Sequence, residues 1–274
     1  MKAGLLNLDR RIIFLCVFLG VAIPLLVPFA LPVRITEPVR AIHAQIERVA
    51  EQGGVVLMSF DYGPGSEAEV QPMAKAVLRH CFKRKVKVVA ICLWPDAPGL
   101  AQAAIELAAG EFGARYGQDY VYMGYKPGAY SVVLNMGQEF KSAFPQDTRG
   151  TPADSLEVLK GVGALSDFSF VFDLAAGNSI DQWWIPYGQE KYKFALGVGC
   201  TAVMAPDMFP FLQSGQLAGL IGGLAGAAEY EALLGIPGSA TAGMQAQSIT
   251  HLVIIAFILL GNLLYFLSRR RGGG

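Results

Sequence analysis

Five short segments carry the residue types from which binding and catalytic sites are built: Asp61-Tyr-Gly-Pro-Gly-Ser66, Trp94-Pro-Asp96, Lys126-Pro-Gly128, Asp173-Leu-Ala-Ala-Gly-Asn178 and Ala205-Pro-Asp207. Brought to one place, Asp61, Asp96, Asp173 and Asp207 would offer the hard oxygen ligands that a divalent cation prefers. Aspartate is equally the ordinary residue of turns and helix caps, so no metal is assigned on this pattern. The Gly63-Pro64-Gly65-Ser66 loop can point backbone N–H groups at an anion where a helix begins. It lacks the lysine of a P-loop and the spacing of a GxGxxG dinucleotide fingerprint. Ser59, Ser66 and Ser131 are the candidate nucleophiles and His80 the candidate base, but no serine sits in a GxSxG elbow. The sequence therefore assigns no catalytic residue and leaves any cofactor open.

These segments gain meaning from the elements that precede them. Apolar runs at 55–60, 86–93, 120–125, 168–174 and 194–204 alternate with helix-like stretches at 71–82, 98–112, 130–143 and 152–162. Near-continuous apolar runs suit strands covered on both faces, and the alternation predicts an α/β domain with a doubly wound, mainly parallel sheet. A further helix is expected over 37–52. Thr151-Pro152 and Asp96-Ala97-Pro98-Gly99 read as helix starts, and Ser66 to Glu69 has capping-box spacing that Pro72 complicates. In such a sheet ligands bind outside the strand carboxyl ends. The expected cleft thus comprises Asp61, Gly63, Gly65, Ser66, Asp96, Asp173, Asn178 and Asp207.

The order of strand, Gly63-Pro-Gly-Ser66 turn, second strand at 86–93 and Pro98-Gly99 turn resembles the membrane-bound peptidases of the Clp and crotonase architecture. The resemblance covers about 70 residues. It implies a hydrolase, yet Asp96-Ala97-Pro98-Gly99 has no serine where those enzymes carry their nucleophile. Fold likeness alone does not carry function.

Two other stretches read as contact surfaces. Residues 214–231 place Leu217, Leu220, Ile221, Leu224 and Ala228 at helical spacing, with Gly215, Gly219, Gly222, Gly223 and Gly226 beside them. Each glycine costs about 1 kcal/mol in a helix interior, so close backbone approach to a sheet, a second subunit or the membrane surface is expected to offset them. Trp183 and Trp184 are adjacent and cannot both face one core, which makes them candidates for an interface.

The ends of the chain are apolar. No charged side chain occurs over 12–33, and 249–267 is nearly as long; about 20 residues cross a bilayer. Two spans are expected, with a cytoplasmic start (1–11), a domain at 34–235, a linker at 236–248 and a cytoplasmic end (268–274). Lys2, Arg10 and Arg11 before the first span, and Arg269-Arg270-Arg271 after the second, put both termini in the cytoplasm and the domain across a cytoplasmic (inner) membrane. The run is too long for a signal-peptide core, so a retained anchor is expected. Between the spans acidic side chains exceed basic ones by about five, which argues against nucleic acid as a partner. Cys81, Cys92 and Cys200, an odd number without CxxC spacing, read as buried thiols. Short tethers favour a non-catalytic assembly subunit of an envelope complex, through self-association or other membrane proteins. A hydrolase and a sensor of a small anion or metal are the alternatives.

Overall fold

The computed structural model describes residues 9–27 and 32–271, with side chains through 266. Lys2, Pro28 and the side chains of Arg269, Arg270 and Arg271 lie outside the described residues. Two compact units result, one formed by 1–32 with 241–274 and the other by 33–240.

The first unit contains α1 (Arg10–Leu26) and most of the last helix, α10 (Ser239–Arg271). Within α10, Ser239–Phe266 is long and apolar enough to cross a membrane, 28 residues or about 42 Å at helical rise. Its first residues fall in the stretch expected as a linker. In α1, 17 residues with Pro24 inside, Gly20 faces the last helix: a Cβ there would lie 3.6 Å from Ile249 and Val253 and 3.8 Å from Thr250. A small residue lets two helices approach closely in this way. Gly20→Ala should be tolerated, whereas Gly20→Leu should overpack the pair by about 1–3 kcal/mol. Denaturant titration of the detergent-solubilised chain would register the difference.

The second unit is the α/β domain. It begins with α2 (Glu37–Gln52), started by Pro38 and ended by Gly53 at φ +69°, where a left-handed residue is needed. Val39, Ile42, Ile46 and Val49 fall at helical spacing and are buried, so one stripe faces the sheet. Then come β1 (Val55–Asp61), a 3₁₀ turn (Pro64–Ser66), α3 (Glu67–Lys83), β2 (Lys87–Cys92), α4 (Pro98–Phe112) and β3 (Tyr120–Tyr125). After these follow α5 (Ala129–Gln138), α6 (Phe140–Ala143), three 3₁₀ turns between residues 153 and 167, and β4 (Phe170–Ala175). A π-helix (Ile180–Gln189) runs into α7 (Glu190–Tyr192), then β5 (Leu196–Cys200), α8 (Ala205–Gln213), β6 (Gly219–Gly222) and α9 (Gly223–Leu234).

The strands form one parallel sheet in the order β3-β2-β1-β4-β5-β6. Every residue of β1 and β4 is buried, as expected of strands covered on both faces. On one face α3 packs against α4 and α9, and α2 against β6 and α9. On the other, Leu57, Ile91, Val121, Val171 and Val198 join Val133, Met136, Phe140 and Trp184 in one apolar core. The three buried cysteines are free thiols.

Four local expectations need correction. Residues 219–222, expected as helix, are the edge strand β6. A Cβ at Gly219 would sit 2.8 Å from the Pro38 carbonyl oxygen and from Ile42, so the glycine lets α2 lie directly on the strand. Thr151-Pro152 starts no α-helix: Pro152 is extended (ψ 136°) and 3₁₀ turns follow, feeding Leu156, Val158, Leu159 and Leu165 into the core. The 130–143 helix breaks at Glu139, which is extended at φ −152°. The Ser66 box does not form, since a 3₁₀ turn precedes the helix and Ser66 makes no side-chain cap bond.

Candidate site at the strand carboxyl ends

The order 3-2-1-4-5-6 reverses direction between β1 and β4, and the crevice above that reversal is where doubly wound sheets bind ligands. Immediately beneath it, Asp61 and Asp173 project from adjacent strands onto the same face. Both are fully buried. Asp61 accepts hydrogen bonds from the Leu93 backbone N–H (2.9 Å), the Ser59 hydroxyl (2.9 Å) and the Trp184 indole N–H (3.2 Å). Asp173 Oδ2 accepts from the Ser179 hydroxyl at 2.5 Å, and among the described residues Oδ1 has no hydrogen-bond partner.

Two buried carboxylates in contact cannot both ionise cheaply. Burial pushes the Asp61 carboxyl up, opposed by its contact with Asp173 and by its three donors. Burial and then the charge of Asp61 push Asp173 well above its ordinary value. Asp173 is therefore the member that keeps a proton. A proton on Oδ1 removes the unpaired acceptor and can be donated to Asp61. The pair ties together β1, β2, β4 and the π-helix that Trp184 anchors.

Above this base the loops converge. Gly63 lies against Asp96, with 3.3 Å from its would-be Cβ to the aspartate Cβ, and Gly177 lies against the Trp94 ring at the same distance. Trp94 in turn meets Trp183, ring centroids 6.1 Å apart. Glu69 accepts from the Ala202 backbone N–H at 2.8 Å, which joins the start of α3 to the end of β5.

Two clefts flank the π-helix. One, of about 470 Å³, is lined by Ala176, Gly177, Asn178, Asp181, Met204, Asp207, Met208 and Phe211. The other, also about 470 Å³, is lined by Tyr130, Asp181, Gln182, Trp183, Pro186 and Tyr187. Asp181 belongs to both. π-Helical turns are rare and recur at functional sites, because the wider turn re-aims side chains that an α-helix would stack.

The residues expected from sequence are thus divided. Asn178 and Asp207 line a cleft; Asp96 is exposed beside Gly63; Asp61 and Asp173 form the sealed base. Ser66 and Gly65 occupy the 3₁₀ turn, with open space beside Gly65. Among the described residues the four strand-end aspartates do not form a three-ligand set. Trp184 is wholly buried and Trp183 half-buried. Gly219, Gly222, Gly223 and Gly226 pack against Ile42, Ala205, Ala202 and Ile221 inside the domain, while Gly215 is an exposed turn at φ +77°. Sequence reasoning missed Asp181, Tyr130, Met204, Met208 and Phe211. The available signal was Asp181-Gln182 running into Trp183-Trp184 directly after a strand-end loop.

No family model, curated protein or solved structure matches this chain.

Proposed function

We propose that the α/β domain is a membrane-tethered binding domain for a small molecule that is neutral or cationic and partly apolar, held at the π-helix. The carrying observation is the character of the two clefts. Asp181 and Asp207 line them, no basic side chain among the described residues does, and Met204, Met208, Phe211, Tyr130 and Tyr187 supply apolar and aromatic walls. Convergent polar groups in an otherwise apolar concavity are the usual make-up of a ligand site. The charge sign disfavours phosphates and carboxylates, which narrows the anion-or-metal alternative suggested by the strand-end loops.

A thermal-shift screen of matched cationic, neutral and anionic compounds tests this. Cationic or neutral compounds should raise the melting temperature of the wild type, by about 2.7 kcal/mol of stabilisation at a hundred times Kd. Asp181→Asn should weaken the response at least about tenfold, the worth of roughly 1.4 kcal/mol. A response confined to anions, or one unchanged in Asp181→Asn, would rule the reading out.

The tether itself is proposed as two-pass, with both termini cytoplasmic. Contact of Gly20 with Ile249, Thr250 and Val253 supports placing α1 alongside the apolar α10, and the basic ends support the orientation. Labelling of single cysteines introduced at residues 4 and 272 from one side of sealed vesicles only would agree with it. A second reading, an assembly subunit of an envelope complex, draws on Val203 (85 % exposed) and Phe209 (47 % exposed) on the rim between β5 and α8. The mass of the detergent-purified complex, with any co-purifying protein identified, would decide whether that rim is covered.

A further inference from the structure

Far from the clefts, where α3 ends and the strands begin, three side chains that chelate metals in other contexts lie together. His43 and Glu47 are one helical turn apart on α2, so both project from the same face toward α3. His80, at the end of α3, meets them. Its Nε2 is 2.8 Å from Glu47 Oε1, and the His43 and His80 rings stack with centroids 4.4 Å apart and 27° between planes. One ligand atom from each of the three lies within 4.8 Å of the others.

We infer that His43, Glu47 and His80 form a binding site for one divalent transition-metal ion of the zinc class. Two imidazoles and one carboxylate are a known zinc donor set that leaves a fourth position for water. Zinc–ligand distances of about 2.0–2.2 Å put donor atoms about 3.4 Å apart, so side-chain rotations of about 1 Å suffice. Burial holds the imidazoles neutral, as metal ligation requires: His43 is shifted down by desolvation, and His80 is pushed down to about 4 by the same cause.

The surroundings match the needs of such a site. Tyr230 of α9 places its hydroxyl 2.7 Å from His80 Nδ1, so the imidazole can carry its proton there and offer Nε2 to the ion. Ligating histidines are ordinarily fixed in this way through their other nitrogen. Arg84 holds the second oxygen of Glu47 at 3.0 Å, which leaves Oε1 for the ion. His43 and Glu47 are only partly buried, so an ion can reach the site from solvent. Bound there, it would clip α2, the first element of the domain, onto α3.

The test uses the full chain, tag removed, in mild detergent after chelator treatment. Zn²⁺ would be titrated by calorimetry and Co²⁺ followed by its visible absorption. The expected result is one ion per chain, and a melting temperature that rises with Zn²⁺. His43→Gln and Glu47→Gln should each weaken binding by more than about a hundredfold, and Tyr230→Phe by about 10–100-fold. His251→Ala, outside the cluster, should change nothing. His43→Gln sits at a partly exposed position and keeps much of the side-chain bulk. Its metal-free melt should therefore match the wild type, which separates lost binding from lost folding. Absence of saturable binding, or one-to-one binding of undiminished affinity in both His43→Gln and Glu47→Gln, would overturn the assignment.

Discussion

Asp61→Ala lowers the unfolding free energy of the α/β domain by about 3–5 kcal/mol, because it strands three buried donors at once. The Leu93 N–H, the Ser59 hydroxyl and the Trp184 indole N–H all terminate on this carboxylate. A buried donor left without an acceptor costs about 1–3 kcal/mol, and the serine hydroxyl can partly escape by rotation. The neighbouring substitution should behave in the opposite way. In Asp173→Asn the amide can donate to Asp61 and accept from Ser179, replacing a protonated carboxyl with a group of similar shape. Its stability should lie within about 1 kcal/mol of wild type at mildly acidic pH.

The two variants also separate along the pH axis. The folded-state pKa of Asp173 lies above its ordinary value of 3.8. Its contribution is then fully present below 3.8 and is lost as pH rises through the folded pKa. Wild type should weaken toward alkaline pH, and Asp173→Asn should flatten that decline. Urea titrations from acid to alkaline pH read both effects. Equal and large losses for Asp61→Ala and Asp173→Asn at every pH would contradict the shared-proton arrangement. Since Trp184 anchors the π-helix, Asp61→Ala should also disorganise both clefts.

The second large effect lies at the opposite edge of the sheet. His80 is buried and its pKa is pushed down from 6.5 to about 4, so it is neutral in the folded chain where the unfolded chain would carry a proton. Stability from this group is fully present above 6.5 and is lost as pH falls through 4. The fall from 6.5 to about 4 corresponds to about 3 kcal/mol. Glu47 is also shifted down, first by its hydrogen bond to His80, and so adds loss in the same direction. Metal-free protein should therefore lose stability steeply between pH 6.5 and 4. His80→Gln should remove most of the slope, whatever it does to stability at pH 7. A wild-type profile flat across that window would show that His80 titrates freely.

Much of the architecture was legible because its signals are local and repeated. The runs at 55–60 and 120–125 coincide with β1 and β3 to within one residue, since a strand covered on both faces needs an unbroken apolar series. Likewise 37–52 and 98–112 coincide with α2 and α4, whose proline starts and glycine ends punctuate the chain. β6 was illegible because its information lies in a partner. Gly219-Leu-Ile-Gly222 reads as a strand only once Ile42 and the Pro38 carbonyl are seen to occupy the space a side chain would need. The π-helix was missed because its sequence, with Pro186 inside, has no periodic signature of its own.

The site divides along the same line. Asn178 and Asp207 were found because strand-end loops are the expected place to look. The role of Asp61 and Asp173 as a sealed pair was not, since it depends on register: Ser59 faces Asp173 across the two strands, two residues before Asp61. His43 and Glu47 carried a usable signal in their four-residue spacing, but His80 joins them only through the packing of α2 beside α3.

The seating of α2 has a consequence for how the chain is made. Its apolar stripe rests on β6 and α9, and Thr36 at its start bonds through both its N–H and its hydroxyl to Glu229 of α9, each at 2.7 Å. These receptors are translated almost the whole length of the domain later. During synthesis α2 therefore waits with Ile42 and Ile46 uncovered, and the central strands can assemble before this flank can close. The order of completion is written into the connectivity: the first helix of the domain is among the last to be sealed, and a chain truncated before residue 219 would leave the apolar stripe of α2 without the strand that covers it.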